Sequence, residues 1–128
     1  MGEIATERLL LRTIDGGDIT SLVEGMNDPD IVKFLIGVPS PFTKQDTINW
    51  IEECSRSTDD FLYFGIELMS ESKLIGEIGL SPIIPHEGFG ALAYWLLPRY
   101  QGKGYASEAF GAFSGYAFRN LGLRRLEA

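Results

Sequence analysis

Apolar and polar residues alternate in four stretches of the chain, with the period of a β-strand that buries one face. Strands are predicted over Thr6–Ile14, Phe61–Leu68, Leu74–Leu80 and Phe89–Leu97, with a hairpin turn at 70–73 and a loop at 82–88. The residues predicted to share one face of a strand are Leu9 and Leu11 in the first, Leu62, Phe64, Ile66 and Leu68 in the second, and Leu74, Gly76, Ile78 and Leu80 in the third. The last two strands are expected to pair antiparallel.

Between the first and second strands the apolar period changes to that of a helix. Asp18 is placed to cap a short helix that ends near Asn27. Thr43 followed by Asp46 resembles the capping pattern that begins a second helix. The apolar stripe of this second helix is predicted to be Ile48, Ile51 and Cys54.

A third helix is predicted over Ala106–Leu121, with Gly122 as its C-terminal cap and Phe110, Phe113 and Phe118 in the core. Arg124–Ala128 is then predicted to form a strand parallel to the strand before the helix. The expected fold is therefore α/β of the α+β type: a mixed, mostly antiparallel sheet with a terminal βαβ unit, formed by a single domain over residues 1–128.

The composition argues against several classes of protein function. The 128 residues contain one cysteine, Cys54, and one histidine, so we expect no internal disulfide, no metal site and a reducing, cytoplasmic setting. The net charge of −7 argues against binding to nucleic acid, and no apolar run is long enough to span a membrane.

The most specific segment is the glycine-rich turn between the fourth strand and the third helix. Gly102 and Gly104 permit a positive φ, and the free N–H groups of the turn and the helix start would converge on an anion such as a pyrophosphate. Lys103 adds a charge and Ser107 a hydroxyl. The glycines alone are also compatible with a simple connecting turn, or with a nucleotide-binding domain that takes ATP or NAD.

The flanking residues add a family resemblance. Gln101–Ala106, with the sequence QGKGYA, resembles the Q/R-x-x-G-x-G/A signature of the GNAT acetyltransferase superfamily. The segments Tyr94–Pro98, Ala106–Ala109, Thr6–Arg12 and Leu74–Leu80 resemble its branch of ribosomal-protein N-terminal acetyltransferases. The resemblance covers nearly the whole chain in order.

This resemblance implies acetyl-CoA as the donor and a primary amine, on a protein N-terminus or a small molecule, as the acceptor. It implies that the donor's pantetheine runs beside a strand that splays from its parallel neighbour, and that the N–H of Leu96 polarises the thioester carbonyl. The residues that it implies for donor binding are Trp95, Leu96, Leu97, Gln101, Gly102, Lys103, Gly104, Tyr105, Ala106 and Ser107.

The sequence offers several candidates for the general base. Alternation places Glu77 on the solvated side of the sheet, where it is either the base for an amine or an ordinary surface carboxylate. Many members of the branch carry a glutamate where this chain has Ala91. His86 and Glu87 are weaker candidates, and Tyr94, Trp95 and Tyr100 belong either to the acceptor pocket or to the core.

The resemblance also implies a further helix and two strands after the strand that starts at Arg124, so we expect a C-terminally truncated form of this fold. The first hypothesis is an N-acetyltransferase that works by direct attack of the amine, without a covalent enzyme intermediate. The alternative is an acetyl-CoA-binding or assembly module without efficient catalysis. The open edge of the last strand would suit a homodimer.

Overall fold

The computed structural model describes residues 2–33, 35, 37–56 and 60–127, and its strands form a six-stranded sheet in the order β1-β2-β3-β4-β5-β6. Neighbouring strands are antiparallel from β1 to β5, whereas β5 and β6 are parallel and joined through helix α4. The mixed sheet with a terminal βαβ unit is therefore confirmed. In chain order the elements are β1 (Ile4–Ala5), β2 (Leu9–Arg12), α1 (Ile19–Met26), α2 (Pro29–Val32), α3 (Lys44–Ser55), β3 (Leu62–Leu68), β4 (Lys73–Ile84), β5 (Phe89–Leu96), α4 (Tyr105–Asn120) and β6 (Arg125–Glu127).

The faces predicted for the first two strands are confirmed. Leu9 and Leu11 are fully buried, as are Phe64 and Ile66 of β3. The first strand is shorter than predicted, because the chain turns between β1 and β2, where Thr6 N–H donates to the carbonyl of Leu9 at 2.8 Å. This turn becomes important below, since it reaches the start of α4.

Strand β4 departs from simple alternation. Ile78 pairs with Phe64 and Gly76 with Ile66, but the register then shifts and Leu74 pairs with Glu67. Because the extra residue, Ile75, separates Leu74 from Gly76, Leu74 lies on the other face of the strand, where its side chain contacts Gly65. The prediction that Leu74 shares a face with Ile78 is therefore wrong. The strand also extends into the loop predicted at 82–88 and ends at Ile84.

The helix starts were predicted with mixed success. The capping box of Thr43 and Asp46 is present at the start of α3. Asp18 does not cap α1 through its side chain. Its carboxylate instead accepts from the Asp15 N–H and binds both terminal nitrogens of Arg12 at 2.9 Å, so it closes the short 3-10 turn before α1. Ile48 of α3 is exposed, contrary to the predicted stripe.

Helix α4 packs one face on the sheet. Phe113 is fully buried against Phe64, with ring centroids 5.9 Å apart, whereas Phe110 and Phe118 are 43% and 45% exposed. Their assignment to the core is wrong because they lie on the outer face of the helix. Gly122 follows α4 with a φ of 67°, as predicted for a cap. The predicted last strand is present as Arg125–Glu127, and its predicted end at Ala128 lies outside the described residues.

The part of the chain that the structure describes has no helix with the length and apolar character to cross a membrane. Cys54 is a buried free cysteine.

Close approach between β4 and β5 yields a first prediction. A Cβ on Gly76 would lie 2.1 Å from the Trp95 carbonyl oxygen, so Gly76→Ala should lower the free energy of unfolding by about 1–3 kcal/mol or more. The matched control is Gly111→Ala in α4, where a Cβ meets nothing within 4 Å and helix propensity should raise that free energy by up to about 1 kcal/mol. Urea denaturation measures both. A Gly76→Ala variant as stable as wild type would contradict the tight contact between these strands.

Candidate functional site

A cleft of about 700 Å³ opens where β5 ends and α4 begins. The end of β5, the glycine-rich turn and the start of α4 line it, together with residues of α2. Residues from two separated parts of the described chain, 30–31 and 94–107, therefore meet in one cavity. Its lining consists of Asp30, Ile31, Tyr94, Trp95, Leu96, Pro98, Gln101, Gly102, Gly104, Ala106 and Ser107.

The end of β5 has an open edge toward this cleft. Strand β6 pairs only with Phe89–Ala91 of β5, and among the described residues no strand continues that pairing beside Leu96. The Leu97 N–H donates to the Ile75 carbonyl at 2.8 Å, on the β4 side. Because backbone groups alternate sides along an antiparallel strand, the N–H and carbonyl of Leu96 point to the open side. The Gln101 side chain donates to that carbonyl at 2.9 Å, which leaves the Leu96 N–H facing the cleft.

Leu97, predicted to bind the donor, is not brought to the cleft. Its N–H is engaged with Ile75, and its carbonyl accepts from the Tyr100 N–H at 2.9 Å. The side chain is fully buried. Because both backbone groups are engaged within the protein, Leu97 supports the cleft from behind rather than lining it.

The glycine-rich turn has the backbone conformation that was predicted. Gly102 and Gly104 have φ values of 75° and 85°, and Gly104 is the N-cap of α4, where no side chain caps the helix. The first intrahelical bond runs from the Glu108 N–H to the Gly104 carbonyl. The N–H groups before Glu108 therefore have no partner within the helix, and Ala106 and Ser107 of this first turn line the cleft.

Two predicted residues of the turn lie on its other side. The Lys103 carbonyl accepts from Arg8 at 3.1 Å, and the Tyr105 ring lies under the Arg8 guanidinium, 4.5 Å from the ring centroid. Neither Lys103 nor Tyr105 lines the cleft. Sequence patterns gave no sign that Arg8 contacts this turn, because the two segments are brought together only by packing.

The cleft also contains residues that the sequence did not assign to it. Tyr94, which the sequence left between pocket and core, is 51% exposed and lines the cavity. Asp30 and Ile31 lie in α2, which begins at Pro29 after the N-cap Asp28. The Asp28–Pro29 pair is a helix-start signal, whereas the sequence pattern predicted only the end of the first helix, near Asn27. Nothing in the local sequence connects this short helix to β5.

Glu77 is not on a solvated face, so that prediction is wrong. Its side chain is only 2% exposed and does not line the cleft. The carboxylate accepts from the indole N–H of Trp50 at 2.9 Å and from that of Trp95 at 3.2 Å. Burial raises its pKa from 4.5 to about 7, although both indole hydrogen bonds oppose that rise. Glu77 thus contacts one lining residue of the cleft, Trp95, through the indole N–H.

The remaining candidates lie elsewhere. His86 and Glu87 are exposed in a 3-10 turn before β5, at the opposite end of that strand from the cleft. Ala91 lies in the part of β5 that pairs with β6. Tyr100 is buried and its hydroxyl donates to Glu71 at 2.7 Å. None of these four residues lines the cavity.

Comparison with known proteins identifies the family and the fold. The family model described as the acetyltransferase (GNAT) domain matches residues 8–128. The protein named uncharacterized N-acetyltransferase p20 of Bacillus licheniformis is 32% identical over 130 aligned positions, covering 100% of this chain and 72% of the relative. The crystal structure of an acetyltransferase (GNAT family) from Bacillus anthracis is 31% identical with a TM-score of 0.81, covering 98% of this chain and 71% of that chain.

A further solved structure is similar in fold alone. It is RimL, a ribosomal L7/L12 α-N-protein acetyltransferase in complex with coenzyme A, and its TM-score is 0.76 at 20% identity. The similarity covers 98% of this chain and 72% of that chain.

The raised pKa of Glu77 makes stability depend on pH. Between about pH 4.5 and 7 the native protein keeps a proton on Glu77 that the unfolded chain loses, so this stabilising contribution is lost as the pH rises through that range. Glu77→Gln cannot ionise, and we expect its stability relative to wild type to increase between about pH 5 and about pH 8. Urea denaturation at both pH values measures this. Glu87→Gln, at an exposed position, is the control, and a constant difference for Glu77→Gln would contradict the raised pKa.

Proposed function

Because the chain belongs to the GNAT acetyltransferase family and is an N-acetyltransferase domain, we propose that it transfers an acetyl group from acetyl-CoA to a primary amine. The observation that carries this proposal is that two backbone features lie in the same cleft. The Leu96 N–H faces the cleft from the open edge of β5, and the glycine-rich turn begins a few residues later. Residues 1–128 act in this proposal as one catalytic domain.

The cleft fits the donor. A pyrophosphate is an anion that a helix N-terminus without a side-chain cap can bind through its N–H groups, and α4 begins in this way at Gly104. The pantetheine arm of coenzyme A carries amide groups, which suit the open edge of β5 beside Trp95 and Leu96. Support also comes from the fold neighbour RimL, which was solved in complex with coenzyme A.

The proposed chemistry is direct transfer. The amine nitrogen attacks the thioester carbonyl, a new C–N bond forms, the C–S bond breaks, and the proton that the amine loses balances the thiolate released from coenzyme A. Negative charge develops on the carbonyl oxygen during the attack, and a fixed backbone N–H such as that of Leu96 stabilises it. Cys54 is buried and lies outside the lining of the cleft, so it takes no part as a nucleophile.

Two carboxylates are candidates for the proton acceptor, Glu77 and Asp30. Glu77 has a pKa of about 7, which suits acid–base chemistry at neutral pH. Its carboxylate is buried and does not line the cleft, however, so a direct role would require a rearrangement that brings it there. Asp30 is the one carboxylate among the described lining residues.

The positions of Glu77 and Ala91 favour a second candidate function. Since neither residue lines the cleft, the alternative is acetyl-CoA binding without efficient catalysis, or assembly. The outer edge of β6 has no strand partner among the described residues, which would suit pairing with a second copy. Exposed charges on Arg125 and Glu127 lie along that edge.

Donor binding can be tested by calorimetric titration with acetyl-CoA, coenzyme A and ATP. We expect the two coenzyme A ligands to bind more tightly than ATP. Gly104→Asp should weaken coenzyme A binding by about 100-fold or more, or about 2.7 kcal/mol, because it places a carboxylate at the anion site and a side chain at a φ of 85°. Gly122→Asp is the matched control, with a similar φ of 67° at the other end of α4. Equal binding by Gly104→Asp and wild type would refute the assignment of the turn.

Catalysis is tested separately with a panel of small amines and N-terminal peptides, by following coenzyme A release and the acetylated product. We expect release with a primary amine and a rate that rises with pH as the amine loses its proton. If Glu77 accepts that proton, Glu77→Gln should lower kcat by about 100-fold or more without changing KM for acetyl-CoA. Coenzyme A binding without release for any acceptor would favour the second function, and light scattering would then show whether copies associate.

A further inference from the structure

Arg8 connects the turn between β1 and β2 to the beginning of α4. Its Nε donates to Glu108 at 2.8 Å and its Nη1 donates to the Lys103 carbonyl at 3.1 Å. The guanidinium also lies over the Tyr105 ring. A single side chain thus contacts the glycine-rich turn, the first residue of α4 and the first turn of that helix.

The bond to the Lys103 carbonyl fixes the direction of one N–H group in the turn. The peptide bond between Lys103 and Gly104 is trans, since the cis bonds of the described chain lie elsewhere. In a planar trans peptide the carbonyl and the N–H point in opposite directions. When Arg8 holds the carbonyl on its own side, the Gly104 N–H therefore points away from Arg8, and Gly104 lines the cleft.

Glu108 holds Arg8 and the turn between β1 and β2 through several hydrogen bonds. Besides the Arg8 side chain, it accepts from the Arg8 backbone N–H at 2.9 Å and from the Thr6 hydroxyl at 2.5 Å. Desolvation raises the pKa of Glu108, but these hydrogen bonds together outweigh it and lower that pKa below its ordinary value. A charged carboxylate one turn from an anion site repels the anion by its charge alone.

We propose that Arg8 and Glu108 are positioning residues for the donor's pyrophosphate: Glu108 holds the Arg8 guanidinium, and Arg8 holds the Lys103 carbonyl so that the turn presents its N–H groups to the cleft. This inference rests on the proposed binding of coenzyme A. It assigns Glu108 a favourable effect on anion binding, opposite in sign to the effect of its charge.

The sign difference makes the proposal testable. Titration with coenzyme A should show about 10-fold weaker binding for Arg8→Gln, and also weaker binding for Glu108→Gln even though that variant removes a negative charge. Arg8→Lys keeps the charge but not the planar set of donors that bonds Glu108 and Lys103 together, so it should recover only part of the affinity. Arg119→Gln, which removes an exposed charge from the last turn of the same helix, should bind like wild type.

Two outcomes would overturn the proposal while wild type still binds coenzyme A. One is a Glu108→Gln variant that binds as tightly as wild type or more tightly, which would mean that only its charge matters. The other is an Arg8→Gln defect that disappears when 3′-dephospho-coenzyme A is the ligand, which would mean that Arg8 contacts the 3′-phosphate directly.

An NMR measurement without ligand separates this inference from the proposed function. The amide resonances of Gly102 and Gly104 should shift in both Arg8→Gln and Glu108→Gln and remain in place in Arg119→Gln. Unchanged glycine amides in the first two variants would overturn the positioning role. Failure of wild type to bind coenzyme A, with the amides shifting as expected, would count against the proposed function and leave the positioning contact supported. Thermal denaturation verifies that every variant is folded.

Discussion

The site depends on how β5 is paired. Strand β4 accompanies β5 to Leu96, whereas β6 pairs only with Phe89–Ala91, so the last part of β5 is satisfied on one side and open on the other. Buried backbone groups need partners, and an open edge of this kind must face solvent or a ligand. The Gln101 side chain satisfies one of the groups there, the Leu96 carbonyl. Because the glycine-rich turn follows within a few residues, the open edge and the amides at the start of α4 lie in one continuous segment, and the cleft forms between them and α2.

An open strand edge can stabilise developing charge only if its N–H group is held in place. The contacts on the opposite side of β5 hold the strand rigidly. The backbone of β5 approaches Gly76 so closely that no side chain fits between them. The Trp95 ring is held from one side by Gly25, where a Cβ would lie 2.4 Å from the ring, and by the hydrogen bond of its indole to Glu77. These contacts fix β5 on the side away from the cleft. They provide the preorganisation that a backbone N–H needs to stabilise developing charge without first rearranging.

Local sequence predicted those features that depend on local geometry. Period-two alternation correctly predicted the buried faces of β2 and β3, and the Thr43–Asp46 pattern predicted the start of α3. The positive φ of Gly104 was predicted because only glycine adopts it freely. The errors have a different origin. A bulge in β4 reversed the face of Leu74, and α3 covered the face on which Glu77 was expected to meet solvent. Asp30 and Arg8 reach the site through tertiary packing, which no pattern within their own segments reports.

Under the proposed function, the net charge of −7 means that the anionic donor is bound with little help from the overall electrostatic field of the protein. The structure meets this requirement locally, because backbone amides carry no net charge and can be aimed at a phosphate regardless of the surface around them. Glu108 is the carboxylate in the first turn of α4, and Arg8 pairs with it there. Asp30 also lines the cleft, where a carboxylate favours a cationic amine over an anionic acceptor. Under the proposed function the anionic donor is therefore bound by uncharged backbone amides, and the carboxylate of the lining is left to favour the cationic acceptor before the reacting atoms meet at Leu96.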